Sequence, residues 1–156
     1  MPYQPFRLDR LNVLAEYSKQ APHIGSHPNY PALSLCSGRA YPYVEAMSQL
    51  LRIQTPVLFE SGAGMFDPVS AVSTWHPDFT RDIRMEVDDI RSFLENVVAD
   101  NIGLSIDYAK RSQAALVGSP NGGIEEARLE VDEYVTKNHP SFNVFHTHIS
   151  IDVVPP

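Results

Sequence analysis

The chain has one cysteine, Cys36, among its 156 residues. No disulfide can form within it, and a reducing, cytoplasmic setting is the default expectation. No run approaches the ~20 apolar residues needed to cross a bilayer. The opening Met1-Pro2-Tyr3-Gln4-Pro5-Phe6-Arg7 lacks the apolar stretch of a secretory leader. Neither a membrane nor an export role is therefore expected. Cations are scarce: 12 Lys and Arg against 19 Asp and Glu leave a net charge of −7. That balance disfavours a nucleic-acid binder, because counterion release needs clustered Lys and Arg. There is no internal repeat and no low-complexity segment. Apolar residues are present in ordinary measure, at 43%, enough at this length for one good core or two small ones.

The apolar pattern predicts helix from Phe6 to Lys19, with Leu8, Leu11, Ala15 and Ser18 on one stripe and Leu14 beside them. A polar, proline-bearing loop follows to Tyr30; it contains His23 and His27, to which no role is assigned. Ala32 to Cys36 is a short apolar run bounded by turn formers and reads as a buried strand. Pro42 to Leu51 reads as a helix with proline in its first turn, and Pro56 to Glu60 as a second buried strand. Helix, strand, helix, strand at these lengths is the rhythm of a parallel, doubly wound α/β sheet.

After Ser61 the texture changes. Gly62, Gly64 and Asp67-Pro68 make a turn-rich stretch, and Trp75-His76-Pro77 suggests a hinge or packing point. The strongest helix signal runs from Asp78 to Ala99, with Phe79, Ile83, Val87, Ile90, Leu94 and Val97 spaced by threes and fours. Gly103 lies where a helix stop is expected. Leu104 to Tyr108 and Gln113 to Val117 are strand candidates, Asn121-Gly122-Gly123 a turn, Ile124 to Lys137 a helix, and Asn143 to Val153 one long strand. This composition predicts a partial doubly wound unit over 1–68 and an α+β unit over 69–156. The acidic groups Glu86, Asp88 and Asp89, and Glu125, Glu126, Glu130, Asp132 and Glu133, are expected on solvated helix faces.

The segment Leu33-Ser34-Leu35-Cys36-Ser37-Gly38-Arg39 carries the clearest chemistry. A strand that ends in Ser-Gly-Arg just before a helix suits an anion. Ser37 offers a hydroxyl, Gly38 lets the backbone come close, and the helix N-terminus adds N–H groups and a favourable dipole. Open α/β sheets bind ligands at the carboxyl ends of their strands. The alternative is a plain strand-to-helix turn with a surface arginine. The second strand ends in Phe59-Glu60-Ser61-Gly62-Ala63-Gly64, again at a carboxyl edge. Cys36 has no obvious His beside it and reads as a core cysteine rather than a nucleophile.

These two strand ends and their spacing resemble the haloacid dehalogenase (HAD) superfamily, in its branch of sugar-phosphate and phosphoglycolate-type phosphatases with a large C2-type cap. In that branch one strand ends in Thr/Ser-Gly-Arg and the next in Glu-Asn-Gly-Ala; here they end in Ser37-Gly38-Arg39 and Glu60-Ser61-Gly62-Ala63, so the family's Asn is Ser61. The tail Ile149 to Pro156 resembles the strand that leaves the cap. The resemblance implies a partial Rossmann-like HAD core with an inserted cap, truncated at both ends. It implies Mg²⁺ in the complete enzyme, with no metal ligand identified in this chain. It implies Ser37 and Arg39 as catalytic phosphate contacts, and Gly38, Glu60, Ser61 and Gly62 as substrate-binding positions. The family's nucleophile is the first Asp of an Asp-x-Asp motif, and that motif occurs nowhere in this sequence.

Along Asn143 to Val153 alternation places Phe145, Thr147, Ile149, Ile151 and Val153 on one face and His146, His148, Ser150 and Asp152 on the other. The apolar face is expected under the helices. The resemblance implies that the open face roofs the active site, which makes His146 and His148 candidate substrate contacts; surface exposure and a shared metal are the alternatives. Lys110 and Arg111 are either a solvated turn or an anion contact. The expected function is thus a fragment of a Mg²⁺-dependent phosphatase for a small phosphorylated metabolite, inactive alone. The alternative is a non-catalytic phosphometabolite-binding or regulatory module. Cut sheet edges would favour a homo-oligomer.

Overall fold

The computed structural model describes residues 6–118 and 123–156. The N-terminal residues to Pro5, and all but Gly123 of the expected Asn121-Gly122-Gly123 turn, lie outside the described residues. The chain divides into two compact units between Pro77 and Asp78, and each is described by itself.

In the first unit, helix α1 (Leu8–Gln20) buries only Ala15 and Ser18; Leu8 and Leu14 of the expected stripe are exposed. Helix α2 (Tyr41–Leu50) carries Pro42 in its first turn, where a missing N–H costs no helix bond. Three short strands follow, β1 (Val57–Phe59), β2 (Gly64–Asp67) and β3 (Val72–Trp75), paired antiparallel in the order β1-β2-β3. The turn-rich stretch is therefore a hairpin. Asp67 closes it by accepting from the Val69 N–H at 2.9 Å and the Ser70 hydroxyl at 2.8 Å. These bonds hold its carboxyl below the ordinary value, the Ser70 bond most. Because β3 pairs with β2, Pro68 lies inside a hairpin, and the break between units falls nine residues beyond the expected position (77 against 68).

The expected strand Ala32 to Cys36 is reduced to a single parallel bridge, Cys36 to Leu58, made by the Leu58 N–H to the Leu35 carbonyl (2.8 Å) and the Ser37 N–H to the Leu58 carbonyl (3.1 Å). Parallel pairing of the two segments is present, but it is short. It is also covered on one face only: Leu33 and Leu35 pack against the core, while Cys36 is exposed. The expected core cysteine is a surface residue, because period-2 alternation turns it to the face that α2 does not cover. The core holds Val44, Leu51, Ile53, Val57, Phe59 and Phe66. Gly64 is required there, since any Cβ would overlap the Phe59 ring. Trp75 meets that ring edge-on at 5.2 Å, a packing role.

In the second unit, helix α3 (Arg81–Asp100) begins at Thr80, whose hydroxyl accepts from the Ile83 N–H; Phe79 precedes it. Val87, Ile90, Leu94 and Val97 form its buried stripe, each contributing about 1.5–3 kcal/mol by leaving water. Gly103 ends the segment at φ 94°, a conformation that favours glycine. Strands β4 (Leu104–Ile106), β5 (Ala114–Gly118), β6 (Asn143–His146) and β7 (Ser150–Val154) form an antiparallel sheet in the order β4-β5-β7-β6. Helix α4 (Ile124–Asn138) adds Ile124, Ala127, Val131 and Val135 to the core between helices and sheet.

The expected single strand over 143–153 is a hairpin of β6 and β7. Thr147 makes the turn: its N–H bonds the Ser150 carbonyl at 2.8 Å, and its hydroxyl accepts from the N–H groups of Ile149 and Ser150. A side-chain-closed turn without Gly or Pro leaves little trace in hydropathy.

Candidate functional site

The parallel bridge brings the two strand ends together. Beyond it, the Ser61 N–H bonds the Ser37 carbonyl at 3.0 Å and the Glu60 N–H bonds the Arg39 carbonyl at 2.9 Å. Loop 37–39 and loop 60–62 therefore lie side by side at one carboxyl edge, where a parallel pair presents its ligand-binding end. Loop 60–62 is a single turn of 3-10 helix in which Glu60, Ser61 and Gly62 have φ of 47°, 60° and 95°. Two consecutive non-glycine residues in the left-handed region cost about 1–2 kcal/mol each. The cross-loop bonds, with the Ala63 N–H to Glu60 carbonyl bond at 3.1 Å, hold them there. Strain of this kind concentrates at functional sites.

The side chains are arranged for a polar contact at this edge. The Ser37 hydroxyl accepts from the Arg39 N–H at 3.2 Å, which leaves its hydrogen to donate outward. At Gly38 a Cβ would meet the Ser61 hydroxyl at 3.3 Å, so the two loops touch through Gly38 and Ser61. Glu60 is buried, whereas Gly38, Arg39 and Ser61 are exposed. The Arg39 guanidinium stands 5.5 Å from the centre of the Tyr43 ring, a cation–π distance that limits its range.

Helix α2 contributes less than expected. Pro42 has no N–H, and the N–H groups of Tyr43 and Val44 both bond the Ala40 carbonyl. The helix dipole remains, but these donors do not reach outward. Tyr41 packs edge-on against Phe59 at 5.4 Å and Phe66 at 5.3 Å. Burial first, then Glu45, raises its phenol above the ordinary value.

In the second unit the hairpin reverses the expected faces. His146 pairs across with Ile151 and Val144 with Val153, so His146 lies on the helix-covered face. Its Nε2 is 3.0 Å from the Asp132 carboxylate of α4. His146 and His148 are therefore not neighbours on an open face: His148 is exposed in the turn. Phe145, expected under the helices, pairs with Asp152 on the opposite face and is 58% exposed. Lys110, expected in a solvated turn, is buried and forms an ion pair with Asp152. The other Asp152 oxygen accepts from the Ser150 hydroxyl at 3.3 Å.

Sequence reasoning missed one cluster. His139 is buried at the end of α4, with Nδ1 3.2 Å from Glu86 and Nε2 2.9 Å from Asp89. The Tyr134 hydroxyl donates to Asp89 at 2.9 Å. Glu86 and Asp89 thus link α3 to α4 rather than only solvating a helix face. Tyr134 foremost, then His139, holds the Asp89 carboxyl below its ordinary value. The signal available was a lone His just after an amphipathic helix, which names no partner. Among the described residues no group of three or more His, Cys, Asp or Glu side chains gathers to hold a metal. Mg²⁺ demands several oxygen ligands in near-octahedral array, so these residues do not fit it.

No family model matches the chain, and no curated protein does. Solved structures do. The C-terminal domain of trehalose-6-phosphate phosphatase from C. albicans is similar over 98% of this chain and 52% of its own, at 16% identity and a TM-score of 0.70. Sucrose-phosphatase from Synechocystis sp. PCC6803, solved with sucrose and phosphate, is similar over 97% and 59%, at 13% identity and a TM-score of 0.58. A haloacid dehalogenase-like hydrolase from Bacteroides thetaiotaomicron is similar over 97% and 65%, at 11% identity and a TM-score of 0.59. The chain thus spans between about half and two thirds of the length of these proteins. At these identities the likeness is one of fold, and in fold it bears out the resemblance drawn from the two strand ends.

Proposed function

We propose that this chain, which shares the mixed α/β fold of the haloacid dehalogenase-like phosphatases, is part of a phosphatase for a small phosphorylated metabolite of the sugar-phosphate or phosphoglycolate kind. The observation that carries this reading is the joining of loops 37–39 and 60–62 by the Ser61-to-Ser37 and Glu60-to-Arg39 bonds. In it, Ser37 donates its hydroxyl to a phosphoryl oxygen, Arg39 supplies positive charge, and Gly38 admits the phosphate to the backbone. Glu60, Ser61 and Gly62 form the neighbouring wall, and their strained turn keeps it in place. The second unit acts as the cap, a role supported by an antiparallel sheet whose helices cover one face.

Phosphoryl transfer to a carboxylate needs an aspartate nucleophile and neutralisation of the phosphate charge. The sequence holds no Asp-x-Asp and its described residues hold no metal cluster. In this proposal the nucleophile and the Mg²⁺ ligands come from other residues of the working enzyme, in the cytoplasm, and this chain alone binds phosphate without turning it over. The absence of Asp-x-Asp equally favours a second reading, a phosphometabolite-binding or regulatory module.

Titration of the full chain with inorganic phosphate and glucose 6-phosphate, followed by amide NMR, tests the site. Signals of residues 37–39 and 60–62 should move, and Ser37→Ala and Arg39→Ala should each weaken binding by roughly tenfold or more, the value of a charge-assisted hydrogen bond. Phosphate binding indifferent to both substitutions would overturn the assignment. Release of phosphate by this chain with Mg²⁺ would overturn the claim that its nucleophile lies elsewhere.

A further inference from the structure

The backbone of Arg39 is fixed on both sides. Its N–H donates to the Ser37 hydroxyl at 3.2 Å, and its carbonyl accepts from the Glu60 N–H at 2.9 Å. The residue is nonetheless exposed. An exposed arginine samples many rotamers, and an anion that immobilises it must offset the entropy lost. A side chain already held near its bound position therefore binds the anion more tightly without any new contact to it.

Tyr43 is placed to do this. It follows Pro42 in the first turn of α2, and its N–H bonds the Ala40 carbonyl at 3.1 Å, which starts its side chain close beside the loop. The Arg39 guanidinium lies over its ring, 5.5 Å from the centre, within the ~6 Å reach of a cation–π contact. The two tyrosines of this turn divide the work. Tyr41 turns into the core against Phe59 and Phe66, whereas Tyr43 is 41% exposed and meets the arginine. The contact also suits an anion site. An aromatic ring engages the flat face of a guanidinium, while the N–H donors lie in its plane and point outward from its edge. Stacking on a ring and bonding to a phosphoryl oxygen are therefore compatible, and the first orients the group for the second.

We infer that Tyr43 is a positioning residue for anion binding at loop 37–39: its ring holds the Arg39 guanidinium by one face and so presents the N–H edge to a phosphoryl group. The inference rests on the phosphate reading of that loop and adds to it a residue that acts through Arg39 and touches no ligand.

NMR of the full chain, with inorganic phosphate as the ligand, tests it in two steps. Before phosphate is added, Tyr43→Leu should shift the Arg39 Nε–H signal, because an aromatic ring displaces the resonances of a group lying over it; Tyr43→Phe should leave that signal near its original position. Phosphate affinity should then fall about two- to fivefold in Tyr43→Leu, the value of an exposed cation–π contact, and be retained in Tyr43→Phe. The urea midpoint should stay in place, as expected at an exposed helix position. In an Arg39→Ala chain Tyr43→Leu should weaken phosphate no further, because the ring has nothing left to hold. An Arg39 Nε–H signal indifferent to Tyr43→Leu, full phosphate affinity in that variant, or an equal loss in the Arg39→Ala background would each overturn the inference alone. A chain with its native Tyr43 that gives no phosphate response would overturn the reading of the loop and this inference with it, and the Arg39 signal, which needs no ligand, keeps the two failures apart.

Discussion

The two units bury their apolar residues to different degrees. Among the described residues of 78–156, two helices cover one face of a four-stranded sheet, and fourteen buried hydrophobic residues make one core. In the first unit six do so, and the outer face of its sheet leaves Cys36, Leu58 and Met65 exposed in one cross-strand row. The candidate phosphate edge lies on the less buried unit, and there the backbone takes its left-handed turn. A well-covered core tolerates little strain without loss of stability. A site that must present polar backbone and an exposed arginine is built where packing is lighter and cross-loop hydrogen bonds can hold the geometry.

The largest effects should come from the two cores, and they test the contrast directly. Leu94→Ala, at a fully buried position in α3, should cost about 2–5 kcal/mol by leaving a cavity, read from the urea midpoint. Met65→Ala, on the exposed sheet face, should cost under about 1 kcal/mol. Equal losses would mean that the outer face of the first unit is covered after all. Gly64→Ala should destabilise the first unit by about 1–3 kcal/mol or more, because the new Cβ overlaps the Phe59 ring. Its readout is loss of the near-ultraviolet signal of Trp75, which packs edge-on against that ring.

Next in size is the link between α3 and α4. His139→Ala leaves Glu86 and Asp89 without their shared partner and should cost about 1–3 kcal/mol. The acid response has a definite sign. Asp89 has a lowered carboxyl pKa in the folded chain, so its contribution is present above the ordinary carboxylate value of ~4 and is lost as pH falls through the depressed one. Its side chain is 60% exposed, so solvent screens the effect and the slope should be shallow. Tyr134→Phe, which removes the largest cause, should flatten the fall of the urea midpoint as pH drops below the ordinary carboxylate value of ~4.

The smallest change concerns the strained loop. Ser61→Gly relieves a left-handed φ of 60° and should stabilise the first unit by up to about 1 kcal/mol. Phosphate affinity should fall, because Ser61 packs beside Gly38. A variant that is more stable and binds as well would separate the strain from the site.

Much of this was legible in the residues alone. The three-four spacing from Val87 to Val97 is a local property of one helix, and its buried stripe follows directly. Gly103 and the two strand ends are local too. The hairpin over 143–154 was not legible. Alternation has the same appearance in one long strand and in two short ones, and a two-residue turn shifts its phase, so Phe145 and His146 exchanged faces. Thr147 closes that turn with its own hydroxyl and needs neither Gly nor Pro. The exposure of Cys36 and the burial of Lys110 depend on which neighbour covers a face, which short-range spacing does not encode.

The sequence by itself determined that the chain is a mixed α/β protein, with Ser37-Gly38-Arg39 and Glu60-Ser61-Gly62 at the ends of two apolar runs. Those features rest on residue type and nearest-neighbour conformation. Only the tertiary structure decided that the two ends are bonded side by side, that His146 turns to Asp132, and that Lys110 pairs with Asp152 across 42 residues. Each is a contact between segments far apart in the chain, selected by packing and desolvation rather than by local preference.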